Sequence, residues 1–183
     1  MKSFTGKLLI ASPQLLDPNF AQAVLLLIQH DENGAMALVV NRPLDMKVCD
    51  AWEQVSVIRC AFEDPLRQGG PCQGPLIVVH THEQVAQLSL PGGLHVSLDE
   101  ESLEWLVRDG EHPIAFFLGY AGWSGGQLET EIEQGAWLVA EAERDTVFNP
   151  DEETWERLVR QLTSPVKLVN IDPRIMPEDP SLN

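Results

Sequence analysis

Basic side chains are scarce in this sequence. Lysine and arginine number 12 against 28 aspartates and glutamates, a net charge of −16 over 183 residues. A chain so negative repels phosphate backbones, and nucleic-acid binding needs a basic stripe, so direct contact with DNA or RNA is disfavoured. Cysteines are few and odd in number. Cys49, Cys60 and Cys72 show no regular spacing and no Cys-x-x-Cys pair, which argues against a disulfide framework or a zinc ribbon and fits a reducing cytosol. Long apolar runs are missing too. The longest, residues 23–28, is broken by Gln29 and His30, well short of a membrane span. The apolar run at residues 8–11 is too brief for a signal peptide. A cytoplasmic location without membrane attachment is therefore expected. No low-complexity tract interrupts residues 99–156, and the chain's 44% hydrophobic content is that of one globular domain rather than a disordered segment.

The charge is unevenly placed. Residues 1–98 carry a net −3, residues 99–156 carry −14 and residues 157–183 carry +1. The middle window holds helix-like segments, and its simplest meaning is a solvated acidic face that keeps the protein soluble. If it docks anything, the partner is basic or neutral.

Hydrophobic patterning supplies the elements. Residues 7–11 (KLLIA) predict a short buried strand. Residues 23–30 and 35–40 predict a hairpin around Asp31-Glu32-Asn33-Gly34, which Asn41-Arg42-Pro43 ends. Val48, Trp52 and Val55 recur at helical spacing and predict one helix with a core face. Strands are predicted over 75–80, 87–90, 94–97, 114–120 and 136–140. Asp99 is placed as the N-cap of a helix with Glu100 and Glu101 in its first turn, Leu103, Leu106 and Val107 as its stripe, and Gly110 as a left-handed stop. A short helix over 126–134 and a last helix after Asn149-Pro150 complete the set, with 151–153 in the first turn of the latter. Residues 166–183, rich in proline, predict an extended tail behind a single domain at 1–165. This order lacks regular βαβ alternation and points to an α+β domain with a mixed, mostly antiparallel sheet.

The segment Gly119-Tyr120-Ala121-Gly122-Trp123-Ser124-Gly125-Gly126-Gln127-Leu128-Glu129-Thr130-Glu131 concentrates glycine between a strand and a helix. Ser124 and Gln127 have the spacing of a capping box. The segment resembles the GYAGWxxGQLExE signature of the YqgE/AlgH family of small bacterial proteins. Gly6 to Ala11, Asp17-Pro18-Asn19-Phe20, His30 to Ala35 running into Asn41-Arg42-Pro43, and Gly69-Gly70-Pro71 resemble its other blocks in the same order. Ala37 departs from the pattern, where the family usually has glycine. The resemblance implies a compact single-domain α+β fold with a barrel-like sheet surrounded by three to four helices. It also carries a transcriptional-regulator label, which here implies an indirect role because no helix-turn-helix or basic patch stands behind it.

Several residues invite chemistry. Gly122-Trp123-Ser124-Gly125-Gly126 fits G-x-S-x-G and raises the alternative of a small serine hydrolase. All five histidines precede Ser124, however, opposite to the α/β-hydrolase order, and a capping serine is favoured. His80 and His82 are spaced to chelate on a strand but lack an acidic or cysteine ligand at telling distance, so ordinary histidines are expected. Cys72 follows a Gly-Gly-Pro turn with nothing basic beside it, and packing is its simplest role. No catalytic residue, metal or cofactor is assigned. The candidate binding residues are Asn41, Arg42, Gly69, Gly70, Tyr120, Trp123 and Gln127, on a patch where their three blocks would meet. The expected activity is non-enzymatic binding or regulation through a protein or small-molecule partner.

Overall fold

A computed structural model describes residues 3–60, 62–111 and 113–164. Within them lie ten strands: β1 (Lys7–Ala11), β2 (Val24–Asp31), β3 (Gly34–Val39), β4 (Pro43–Lys47), β5 (Pro65–Gln68), β6 (Cys72–His80), β7 (Leu88–Leu90), β8 (Leu94–Ser97), β9 (Ile114–Ser124) and β10 (Trp137–Glu141). Five α-helices accompany them: α1 (Val48–Trp52), α2 (Glu100–Asp109), α3 (Gln127–Glu133), α4 (Arg144–Phe148) and α5 (Thr154–Thr163). The fold is α+β, a curled half-barrel sheet in one domain. Its main order is β10-β1-β2-β3-β9-β6-β8-β7, with β4 and β5 off that path. Every pairing is antiparallel except β5 with β9. The predicted tail at 166–183 lies outside the described residues.

Apolar side chains fill both faces of the sheet. Leu8, Ile10, Leu26, Leu38, Ile77 and Phe117 line the interior, which α4 and α5 close with Val147, Phe148, Leu158 and Leu162. Leu9, Leu25, Leu27 and Val39 point the other way, beneath Trp123, Leu128 and Trp137. Val78 and Phe116 meet Leu103, Leu106 and Val107 of α2 on the outside of the second half. Burial on both faces is why β2 reads as a continuous apolar run instead of alternating.

Several local expectations need correction. Asp99 caps α2 by accepting from the Ser102 N–H, but Gly110 is extended, with φ −68° and ψ 146°. It is needed there for space, since a Cβ would lie 2.3 Å from the Leu106 carbonyl oxygen. Helix α1 stops at Trp52, and Val55 is 80% exposed, because five residues give one turn of core contact and no more. Residues 151–153 precede α5 instead of opening it; Asp151 accepts from the Thr154 hydroxyl while its own N–H donates to that oxygen. Helix α4 was not foreseen, and the helix count is five where three to four were expected.

Strand β9 is the hub. Along one edge its Phe117 and Leu118 pair with β5 and its Ala121 to Ser124 pair with β3. Along the other edge it pairs with β6. The chain running from β5 to β6 must therefore cross the face of β9, a span of about 10 Å between flanking strands. It does so through Gly69, Gly70 and Pro71 alone.

Candidate functional site

The crossing explains the glycines. Gly69 donates to the Leu118 carbonyl at 2.9 Å and accepts from the Val39 N–H at 2.8 Å, tying β3, β5 and β9 where β9 changes partner. A Cβ on Gly70 would stand 2.2 Å from the Tyr120 carbonyl carbon, and one on Gly119 would stand 2.5 Å from the Cys72 carbonyl oxygen. Gly119 also has φ +73°, a left-handed conformation that side chains disfavour. Backbone meets backbone here, with no room for side chains.

The crossing leaves a groove of about 550 Å³, bounded by Leu44, Gln68, Gly70 to Gly74, Leu118 and Gly119. Residues 73–75 fall between the paired positions Cys72–Tyr120 and Leu76–Leu118, where the register of β6 shifts. These residues have no paired position on β9 beside the groove. Leu118 is 47% exposed, and no charged side chain lines the concavity.

The seven candidate residues do not share one cavity. Gly70 lines the groove, and Gly69 is bound up in the ladder behind it. The Tyr120 ring lies over Gly74 on one side and Gly122 on the other and packs on the interior core. Asn41 accepts from the Val24 N–H at 2.8 Å and donates to the Gln22 carbonyl. Arg42 donates to the Asn19 and Ala21 carbonyls. These two residues clamp the loop before β2, and they border a separate polar cavity of about 330 Å³ with Asp151, Glu152, Trp155 and Glu156. Burial lowers the pKa of Arg42, against the pull of Asp17. Trp123 borders a third, smaller cavity beside the β2–β3 turn.

Trp123 and Gln127 belong to a saturated polar knot. The Glu131 carboxylate accepts from Trp123 Nε1 at 2.9 Å, Trp137 Nε1 at 2.8 Å and Gln127 Nε2 at 2.9 Å. Gln127 Oε1 in turn accepts from the Ser124 N–H and hydroxyl at 3.1 and 3.2 Å. Beside it, His30 Nδ1 accepts from the Phe4 N–H at 3.0 Å, so the proton sits on Nε2 and is donated to Glu129 at 3.1 Å. The three glutamates of α3 are thus not all solvent-facing.

Ser124 is not the helix cap. Strand β9 runs through the glycine block as far as Ser124, and Gly126, with φ 77°, is the N-cap of α3. Only half of the capping box forms, with Gln127 reaching back. The Ser124 hydroxyl bonds an amide oxygen, not an imidazole, so the geometry around it lacks the base a nucleophile requires.

His80 is fully buried. Its Nδ1 accepts from the His82 N–H at 3.1 Å and its Nε2 donates at 2.9 Å to Ser97, whose hydroxyl donates to the Val85 carbonyl. Burial, then the neighbouring His82 and His95, push its pKa down to about 4. His82 lies beyond the end of β6, its ring stacked on His80 with centroids 6.1 Å apart. Among the described residues no group of three His, Cys, Asp or Glu is arranged to hold a metal, and no helix is long and apolar enough to cross a membrane.

Sequence reasoning missed Arg67. Its guanidinium points inward from β5, donates to the Val147 carbonyl at 2.6 Å and to Phe148, and lies 5.6 Å from the Phe117 ring. Burial lowers its pKa to about 10, while Asp64 opposes the shift. The signal available was one arginine in the polar stretch Glu63-Asp64-Pro65-Leu66-Arg67-Gln68, where a charged side chain reads as solvent-facing.

A curled α+β half-barrel with a glycine crossing over its central strand defines a class of small domain. The AlgH-like family model matches residues 8–167, and this chain belongs to that family. A UPF0301 protein of Chlorobaculum tepidum is 42% identical over 162 residues, covering 85% of this chain and 84% of that one. The solution structure of the AlgH protein from Pseudomonas aeruginosa superposes with a TM-score of 0.72 at 32% identity, covering 94% of this chain and 98% of that one. The crystal structure of protein DIP2367 from Corynebacterium diphtheriae gives 0.71 at 27% identity, with 92% of each chain covered.

Proposed function

We propose that this chain is a non-enzymatic, regulatory binding protein, and that its recognition surface is the groove at the β5–β6 crossing. The observation that carries this is a concavity of about 550 Å³ with uncharged walls, an exposed Leu118 and residues 73–75 without a paired position on β9. Its volume falls in the usual range for small-molecule sites, about 300–1,000 Å³. Backbone without a paired position on β9, beside apolar surface, suits a neutral ligand bearing amide or hydroxyl groups. A chain of net charge −16 disfavours an anion. Regulation of transcription would then be indirect, through the ligand, and the setting would be the cytoplasm. Titration of the ¹⁵N-labelled protein with a set of neutral amide- and hydroxyl-bearing fragments tests this. Shifts should cluster at Gly70, Gly74, Leu118 and Gly119 and disappear in Leu118→Asp, which charges the rim without entering the core. Shifts elsewhere only, or unchanged shifts in the variant, overturn the proposal.

A further inference from the structure

Among the described residues strand β10 ends the sheet and pairs only with β1. The phase of that ladder is set by the Ser12 N–H, which donates to the Ala136 carbonyl at 2.9 Å in the same register. In an antiparallel pair the bonding positions alternate. Leu138 and Ala140 therefore turn their peptide groups toward β1, and Val139 and Glu141 turn theirs outward. No backbone partner meets those outward groups among the described residues. The strand carries no proline, lysine or bulge that would blunt such an edge.

A cavity of about 700 Å³ lies along this edge and includes Phe4, Val139, Glu141, Glu143, Leu158 and Leu162. Its two sides differ. Leu138 and Ala140 face the interior with Leu158 and Leu162 of α5. Val139 faces the opposite side, and strand alternation places Glu141 with it. The Glu141 side chain is 78% exposed even while paired with Lys7, and Glu143 adds a second carboxylate to the groove.

We propose that the β10 edge takes up an extended segment of a partner protein as an additional strand. The period of two in a strand then selects the partner's sequence: apolar residues on the side under α5, basic residues on the side of Glu141. Main-chain hydrogen bonds to Val139 and Glu141 supply register, and the alternation supplies specificity. The −14 carried by residues 99–156 favours the basic partner.

The test uses the full chain and a fluorescein-labelled, end-capped heptapeptide of alternating valine and lysine, read by anisotropy at physiological salt. Two further peptides carry backbone N-methyl groups on alternate residues, one in each frame, with side chains and charge unchanged. Saturable binding is expected for the parent peptide. One N-methylated frame should lose at least about tenfold in affinity and the other should not. Hydrogen exchange provides the second measurement: the Val139 and Glu141 amides should exchange freely in the unliganded chain and become protected with peptide. Absence of binding, or equal binding of both N-methylated frames, overturns the proposal. So does a Val139 amide already protected in the free chain; loss of that protection on dilution assigns the edge to a second copy, and its persistence assigns it to the chain's own residues.

Discussion

The two ends of the segment from Gly119 to Glu131 behave oppositely. At Gly119 and Tyr120 backbone meets the crossing backbone, side chains are excluded, and a groove results beside backbone without a paired position on β9. From Trp123 to Glu131 every polar side chain has a hydrogen-bond partner. Two indoles and an amide converge on one carboxylate, and the serine is tied to the same amide. A stretch that reads as one motif thus contains a half that holds itself together and a half that leaves space. Under the proposed function, binding would fall to the second, because side chains bonded to one another have less to offer a ligand.

The largest effect should come from breaking the crossing. Gly70→Val places a Cβ against backbone atoms of Tyr120 and Ala121 at 2.2–2.4 Å, which no rotamer change relieves. A loss of at least about 3 kcal/mol is expected in urea unfolding. Gly122→Ala, on β9 two residues beyond Tyr120, comes closest to the edge of the Tyr120 ring at 3.3 Å and should cost less than about 1 kcal/mol. Similar losses in the two variants would mean that the crossing is not what makes these glycines necessary.

A second test addresses the polar chain on β6, at the other end of the β9 ladder. His80 has a folded pKa of about 4 against an ordinary value of 6.5. Above pH 6.5 it is neutral in both states and imposes no cost. Between pH 6.5 and 4 the unfolded chain takes up a proton that the folded chain refuses, so stability falls through that window by about 3 kcal/mol. The variant His80→Gln should lack this component. Lowered carboxylates such as Asp31, Asp99 and Asp151 act in both chains and cancel in the difference. Parallel stability profiles of the two proteins from pH 7 to 4.5 would contradict the assignment.

The self-contained half of the motif gives the third. Glu131→Gln turns an amide N–H₂ toward indole and amide donors and removes the charge that strengthens those bonds. About 2 kcal/mol should be lost, with a shift in tryptophan emission. Glu133→Gln, outside the knot, should change neither. If the two variants match, the three donors do not depend on that carboxylate.

These contrasts also show what a one-dimensional reading can reach. Strand β1, the β2–β3 hairpin and the Asp99 cap depend on neighbours within a few residues, and their patterns predict them. The crossing depends on β5 and β6 lying on opposite edges of β9, which adjacent residues do not encode. Gly69-Gly70 is visible as punctuation, but not as the site of a passage over a strand. Strand β9 likewise continues through a glycine block that locally reads as a loop, because pairing with β3 on one edge and β6 on the other outweighs glycine's low strand preference. Helix α4 has too few residues to show a period. The candidate residues were recognised one by one, while the separation of Gly70, Asn41 with Arg42, and Trp123 into three cavities follows from tertiary packing alone.

The smallest effect should come from Ser124, where the pattern G-x-S-x-G gives the most pointed expectation. Its hydroxyl is exposed and makes one bond, to Gln127 Oε1 at 3.2 Å, while the Ser124 N–H keeps the same acceptor without it. Ser124→Ala should therefore change stability by no more than about 0.5 kcal/mol, and rates on a panel of esters and amides should be the same for both proteins. A rate that falls with the hydroxyl would place a nucleophile in the saturated half of the motif. The contrast between a binding half and a self-contained half would then have to be redrawn.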